Sequence, residues 1–153
     1  MEVVGGKVPL IVEFKHRKDI EPLCDAAIGI LDKYKGDFCV ESFDPRIMAY
    51  LRKKRPEWMR GQLACRDEGM KPKILDLALT NLMFDLVSRP HYIAYRHEDM
   101  KNLSYRLSTG LLKGLSAAWT VRSAEDFEAL CKKDVDMMIF EGFKAPLQPY
   151  NED

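Results

Sequence analysis

The feature that most constrains this chain is a regular alternation of short apolar segments with segments of helical periodicity. The first apolar segment, Val8 to Phe14, is rich in β-branched residues and nearly continuous, which is typical of a parallel strand buried on both faces. Apolar segments of this kind begin roughly 20 to 30 residues apart, which is the length of a strand followed by a helix. Right-handed crossovers join such units into a parallel sheet, so the alternation predicts an α/β fold.

Six strands and five intervening helices are predicted. The strands are Val8 to Phe14, Phe38 to Phe43, Trp58 to Leu63 (weakened by Gly61), His91 to Tyr95, Leu115 to Val121 and Met137 to Phe140. The helices begin at Ile20 (closed by Gly36), at Pro45 after the N-cap Asp44, at Pro72, near Asn102 and after Ser123, which with Asp126 resembles a capping box. Two architectures fit this order: a doubly wound open sheet, or part of a (β/α)₈ barrel, which needs about 250 residues when complete. Periodicity favours neither.

Composition limits the classes of partner. The 24 basic and 24 acidic residues cancel, so no net charge favours nucleic acid or an anionic membrane. The apolar runs are shorter than the about 20 residues that a membrane span needs. The four cysteines are widely spaced, which indicates thiols of a reducing cytoplasm rather than a zinc site. At 153 residues, the sequence predicts one cytoplasmic domain spanning residues 1–153.

Glu13 and Lys15 are the strongest candidates for chemistry. Their spacing places both side chains on one face at the carboxyl end of the first strand, where α/β barrels build their sites. A carboxylate there can ligate a hard divalent cation, and an ammonium can hold a phosphate oxygen. The alternative is a pair of charges that neutralise each other at the strand rim.

Other candidates are weaker. Phe43 and Trp119 follow or lie in strands and are candidates for pocket walls, although core packing is the alternative. His16, His91 and His97 are interpreted as structural or solvated. No strand is followed by a glycine-rich phosphate loop, and no Gly-x-Ser-x-Gly elbow is present.

Several motifs together carry a family resemblance. Pro9 to Lys15 resembles the Ile-Glu-Ile-Lys strand of glycerophosphodiester phosphodiesterases, and Ser42 to Pro45 looks like their Ser-Phe-Asp segment. Gly61 to Leu63 is similar to their Gly-x-Leu strand. Ala118 to Val121 and Asp136 to Gly142 resemble their closing Trp-Thr-Val and Asp-Gly-Ile-Ile-Thr-Asp segments. The order of these motifs along the whole chain makes the resemblance strong.

The resemblance implies a partial (β/α)₈ barrel of the phosphatidylinositol-phosphodiesterase type, with about six strands. It implies metal-dependent hydrolysis of glycerophosphodiesters to glycerol 3-phosphate and an alcohol. Glu13 falls on a family ligand of the divalent cation, Mg²⁺ or Ca²⁺, and Lys15 falls on the lysine near the substrate phosphate. Phe43 and Trp119 fall on positions that flank the substrate pocket. Glu141 replaces the family's Asp and is given no role.

The chain also departs from the family pattern. The His-Arg-Gly, Glu-Asn, Glu-x-Asp and His-Asp segments, which supply the catalytic histidines and further metal carboxylates, have no counterpart in this sequence. We therefore expect a truncated barrel without assigned catalytic residues, weak metal binding and little hydrolysis by the chain alone. We expect it to self-associate or to combine with a missing N-terminal piece. The alternative is a non-catalytic barrel remnant that acts as a binding or assembly module.

Overall fold

The fold is described from a computed structural model for residues 2–65, 88–100, 115–133 and 135–145. The predicted helices that open at Pro72 and near Asn102 lie outside these residues. The described elements are β1 (Leu10–Phe14), α1 (Ile20–Leu31), β2 (Phe38–Ser42), α2 (Pro45–Lys54), β3 (Met59–Ala64), β4 (Tyr92–Arg96), a 3₁₀ turn (His97–Asp99), β5 (Leu115–Val121), α3 (Ala124–Cys131) and β6 (Met137–Phe140).

The six strands form one parallel sheet in the order β1-β2-β3-β4-β5-β6. Each strand pairs with the next strand along the chain, and the sheet curls into a half-barrel. The prediction of a partial barrel is confirmed. The doubly wound alternative is wrong, because that fold reverses its strand order about a central strand.

Local chemistry explains where α2 and α3 begin. The side chain of Asp44 accepts a hydrogen bond from the backbone N–H of Arg46 at 3.0 Å, and Pro45 occupies the first helical position. Ser123 likewise accepts from the backbone N–H of Asp126 at 3.1 Å. Among the residues that the structure describes, no helix is long and apolar enough to cross a membrane.

Gly36 does not close α1 as predicted. The helix ends earlier, at Leu31, where the backbone N–H of Asp32 still bonds to Ile28. A Cβ at Gly36 would lie 2.6 Å from the Cα of Gly6, so the glycine instead permits close contact with the segment before β1.

One face of the sheet packs against the helices. Phe14 and Val40 point to this face and are buried against α1 and α2. The cluster comprises Phe14, Cys24, Ile28, Leu31, Val40, Ile47, Met48, Leu51 and Trp58. Alternation then directs the intervening strand residues to the opposite face, which is the interior of the half-barrel.

The expectation that β1 is buried on both faces is wrong. Ile11 is 43% exposed, and Glu13 on the same face is also exposed. β1 lies at an edge of the described sheet, so the strand has a neighbour on one side and its interior face is not fully covered.

The interior face has its own packed cluster, which includes Leu63, Tyr92 and Ala94. Gly61 explains how the large Tyr92 ring fits there: a Cβ at Gly61 would lie 2.2 Å from the ring's Cζ atom. The glycine predicted to weaken β3 therefore lets the Tyr92 ring lie across that strand.

We expect Gly61→Ala to destabilise the protein by about 1–3 kcal/mol, because the new methyl group overlaps the Tyr92 ring in a packed interior. Urea unfolding of the variant and the parent protein measures the difference.

Gly29→Ala is the matched control. Gly29 lies in α1, and a methyl group added there would meet nothing within 4 Å, so alanine should stabilise the helix by up to about 1 kcal/mol. Equal stability of Gly61→Ala and the parent would contradict the packing described for Tyr92.

Candidate functional site

Glu13 and Lys15 lie on the interior side of β1 and contact each other. The Lys15 Nζ atom is 2.6 Å from Glu13 Oε1, and the Lys15 and Glu13 side chains are 76% and 31% exposed. The structure therefore brings together the two residues that the sequence placed on one face. Their exposure leaves the ammonium open to solvent at the carboxyl end of the strand.

Glu41 joins these residues on the interior face and was missed by the sequence reasoning. It pairs in register with Glu13 on the neighbouring strand, and it is only 5% exposed. Its Oε2 atom accepts a hydrogen bond from the Tyr92 hydroxyl at 3.0 Å. The signal that could have found it is spacing, because Glu41 precedes Phe43 by two residues and so shares its face.

Burial is the largest influence on the pKa values of Glu41, Tyr92 and Cys39. Burial raises the pKa of Glu41; the Tyr92 hydrogen bond opposes that change, and the nearby Glu13 charge adds to it. Burial, the Cys39 contact and the Glu41 charge raise the pKa of Tyr92, so its hydroxyl stays protonated and donates. The Cys39 Sγ atom lies 3.3 Å from the same hydroxyl, and burial also raises the pKa of that thiol.

Phe43 and Trp119 form an aromatic pair. Their ring centroids are 5.6 Å apart with an interplanar angle of 87°, an edge-to-face geometry. Trp119 Nε1 donates to the Ala94 carbonyl at 2.9 Å, which fixes the indole. Both rings are half-buried: one part of each ring packs against the interior cluster, and the rest is exposed to solvent.

The three histidines bond to groups other than Glu13, Lys15 and Glu41. His16 Nδ1 is 2.9 Å from Asp44 Oδ2, and His91 Nδ1 accepts from the backbone N–H of Arg60 at the amino end of β4. His97 lies in the 3₁₀ turn, 3.4 Å from Glu98. Each imidazole is thus bonded within the described segments to a group other than the acidic residues of the interior face.

Asp44 follows β2 at the carboxyl end of the sheet, and its carboxylate contacts both Arg46 and His16. Burial alone would raise the pKa of Asp44, but hydrogen bonds from the Arg46 side chain and backbone, with help from His16, outweigh it and hold that pKa below its usual range. Asp44 therefore stays ionised while it starts α2. Glu141, in contrast, is exposed and pairs with Arg122 at 2.8 Å.

The donor chemistry of the interior face fits a hard cation that keeps several waters. Glu13 and Glu41 offer carboxylate oxygens, which Mg²⁺ and Ca²⁺ prefer. Within the described segments, no three His, Cys, Asp or Glu side chains converge as a ligand group. Two carboxylates are too few for an all-protein cage, so a cation held here would keep water or a phosphate oxygen among its ligands.

Comparison with known proteins finds relatives by structure alone. No protein-family model and no curated protein matches the chain. A glycerophosphodiester phosphodiesterase from Parabacteroides distasonis matches with a TM-score of 0.64 at 16% identity, over 86% of this chain and 52% of that chain. One from Agrobacterium tumefaciens matches with a TM-score of 0.57 at 16% identity, over 91% of this chain and 55% of that chain.

A third match is an Oleispira antarctica phosphodiesterase in complex with the product sn-glycerol-3-phosphate. It has a TM-score of 0.60 at 10% identity, over 79% of this chain and 46% of that chain. The chain spans about half the length of these solved structures. At such identities the likeness shows the fold: the curled sheet matches about half of a glycerophosphodiester phosphodiesterase barrel.

We expect Asp44→Asn to lower the free energy of unfolding at neutral pH by about 1–3 kcal/mol. Asparagine keeps a capping oxygen but removes the charge that Arg46 and His16 contact. Because the folded pKa of Asp44 is lowered, its contribution is present above the unfolded pKa of about 4 and is lost as pH falls through the folded value. Urea unfolding from pH 7 to pH 3 should therefore show the two proteins converging.

Asp19→Asn serves as the control, since Asp19 is the N-cap of α1 but makes no capping hydrogen bond with its side chain. It should change stability by less than about 0.5 kcal/mol. A constant difference between Asp44→Asn and the parent down to pH 3 would show that the charge of Asp44 does not stabilise the fold.

Proposed function

We propose that this chain forms the cation- and phosphate-binding part of a metal-dependent phosphodiesterase that acts on glycerophosphodiesters. The observation that carries the proposal is the Glu13–Lys15 pair, with 2.6 Å between Nζ and Oε1, at the carboxyl end of a barrel strand. The half-barrel fold shared with glycerophosphodiester phosphodiesterases supports it. The products would be glycerol 3-phosphate and an alcohol.

Each residue has a role set by its chemistry. Lys15 would hold a non-bridging phosphate oxygen through its exposed ammonium, and Glu13 would hold the divalent cation. When bound, that cation supplies Lewis-acid polarisation of the phosphoryl group. Phe43 and Trp119 would provide an apolar wall that orients the ester and excludes water on one side.

The chain alone should turn over substrate close to background. Hydrolysis of a phosphodiester needs a group that protonates the leaving alcohol, and general acid–base help is typically worth about 10² to 10⁴ in rate. His16 bonds to Asp44, His91 to the backbone of Arg60 and His97 to Glu98, so each imidazole already has a partner other than Glu13 or Lys15. We propose that the acid and base come from a further segment or partner that completes the barrel.

A role as a binding or assembly module is the second candidate. Among the described strands, β1 and β6 each have a neighbour on one side only. Ile11 and Phe140 on these strands are each 43% exposed. Open strand edges that carry apolar residues recruit further strands, so either a second copy or another barrel segment would be a suitable partner.

We further propose that residues 1–153 act as one domain in the cytoplasm. Burial raises the pKa of Cys24 to about 11, with nearby acidic residues adding to the effect. A thiol of that kind is unreactive and suits a reducing compartment.

Binding and turnover test the proposed function separately. We expect glycerol 3-phosphate, titrated calorimetrically with Mg²⁺ present, to bind the chain, and Lys15→Met to weaken binding about tenfold by removing a charged hydrogen bond. The matched control is Lys18→Met, an exposed lysine of the same loop, which should bind as the parent does. If the parent, Lys15→Met and Lys18→Met bind glycerol 3-phosphate equally, Lys15 does not contact the phosphate.

Release of glycerol 3-phosphate from glycerophosphocholine, assayed with Mg²⁺ and with Ca²⁺, should stay at background for the chain alone. The missing acid–base help is the physical reason. Robust turnover that disappears in His16→Ala would contradict this and would place the acid at the His16–Asp44 pair.

Light scattering tests the assembly role. We expect the chain to self-associate at high concentration and Ile11→Lys to shift it toward monomer, because a charge on an edge strand opposes strand pairing. Ile30→Lys is the control: Ile30 is 58% exposed but lies on the helix α1 and not on an edge strand. A clean monomer with a cooperative melt would contradict assembly through the edges.

A further inference from the structure

Four residues on the interior face of neighbouring strands are paired in register and so form a row across the half-barrel. Glu13 pairs with Glu41, Glu41 pairs with Gly61, and Gly61 pairs with Tyr92. Successive members lie on successive strands from β1 to β4, so the row runs across the sheet with no step up or down. The resemblance assigns only the first member of this row a role.

The row makes a specific contact across β3. Tyr92 and Glu41 lie two strands apart, yet the Tyr92 hydroxyl donates to Glu41 Oε2 at 3.0 Å. Only the absence of a side chain at Gly61 allows this, since a Cβ there would overlap the ring. The carboxyl of Glu41 is therefore held at a fixed place on the interior face, next in register to Glu13.

The charges of Glu13, Glu41 and Lys15 leave an excess of negative charge on the interior face once a phosphodiester binds. When both carboxyls are ionised, Glu13 and Glu41 carry two negative charges, and Lys15 supplies one positive charge within 2.6 Å of Glu13. A bound phosphodiester would add a further negative charge to a partly buried face. A divalent cation neutralises that excess, and Mg²⁺ is commonly held by one or two carboxylates together with substrate phosphate oxygens.

From this geometry we infer that Glu41 is a second carboxylate ligand of the divalent cation, beside Glu13, and that Tyr92 is the residue that positions it. The inference rests on the proposed function, which makes Glu13 the first ligand. It adds to the site a buried residue on β2 and a positioning residue on β4. Gly61 is part of the arrangement because it makes room for the ring.

Mn²⁺ binding to the full chain tests the inference without any need for turnover. The free ion is counted by its electron paramagnetic resonance signal while protein is titrated, with glycerol 3-phosphate present. We expect Glu41→Gln to weaken Mn²⁺ binding at least about tenfold. Tyr92→Phe keeps the ring over Gly61 and removes only the hydroxyl, and it should weaken binding by about tenfold. Glu125→Gln, an exposed acid on α3, is the control and should bind as the parent does.

A measurement on the unmutated chain guards against variants that fail to fold. In the inferred site, Mg²⁺ should shift the side-chain carboxyl ¹³C resonances of both Glu13 and Glu41, and it should leave that of Glu125 on α3 unchanged. A shift at Glu13 with none at Glu41 would overturn the inference.

The outcomes separate this inference from the proposed function. If Glu13→Gln weakens Mn²⁺ binding and Glu41→Gln and Tyr92→Phe do not, Glu41 is not a ligand and the proposed function stands. If Glu13→Gln also binds as the parent does, the cation site of the proposed function is wrong and the inference is wrong with it. Weakening by Glu13→Gln, Glu41→Gln and Tyr92→Phe, but not by Glu125→Gln, supports both.

Discussion

The register of the parallel sheet is the constraint on which the rest of the structure depends. A slip of one residue in β2 would turn Glu41 toward the helices and bring Val40 to the interior face. Val40 is fully buried in the cluster beneath α1 and α2, so the apolar core opposes that slip. Burial on one face of the sheet thus determines which polar groups meet on the other.

Two buried hydrogen bonds of the Ser42 hydroxyl, rather than the Glu13–Lys15 ion pair, hold the carboxyl ends of β1 and β2 in place. An exposed ion pair contributes about 0–1 kcal/mol, too little to hold a strand end in place. Ser42 donates to the Phe14 carbonyl at 2.7 Å, and its hydroxyl also accepts from the backbone of Asp44 at 3.0 Å. The carboxyl ends of β1 and β2 are therefore held together without help from the Lys15 ammonium.

The sequence could predict features that depend on neighbours along the chain. The six strands and the three helices that the structure describes followed from periodicity, and the common face of Glu13 and Lys15 followed from their spacing. Strand order stayed open, because periodicity carries no information on which strands are adjacent. Glu41 was within reach through its spacing from Phe43, but its bond to Tyr92 was not, since it depends on the registers of β2, β3 and β4 together. For the same reason, the sequence could not predict that Gly61 makes room for the Tyr92 ring.

The space shared by Gly61 and Tyr92 restricts how this sequence can change over time. A side chain at position 61 costs stability while the ring lies over it, whereas replacement of Tyr92 by a small residue would first vacate that volume. The less costly order of substitution therefore has position 92 changing before position 61. Among descendants of this chain, the two positions should vary as a pair, and glycine at 61 should accompany an aromatic residue at 92.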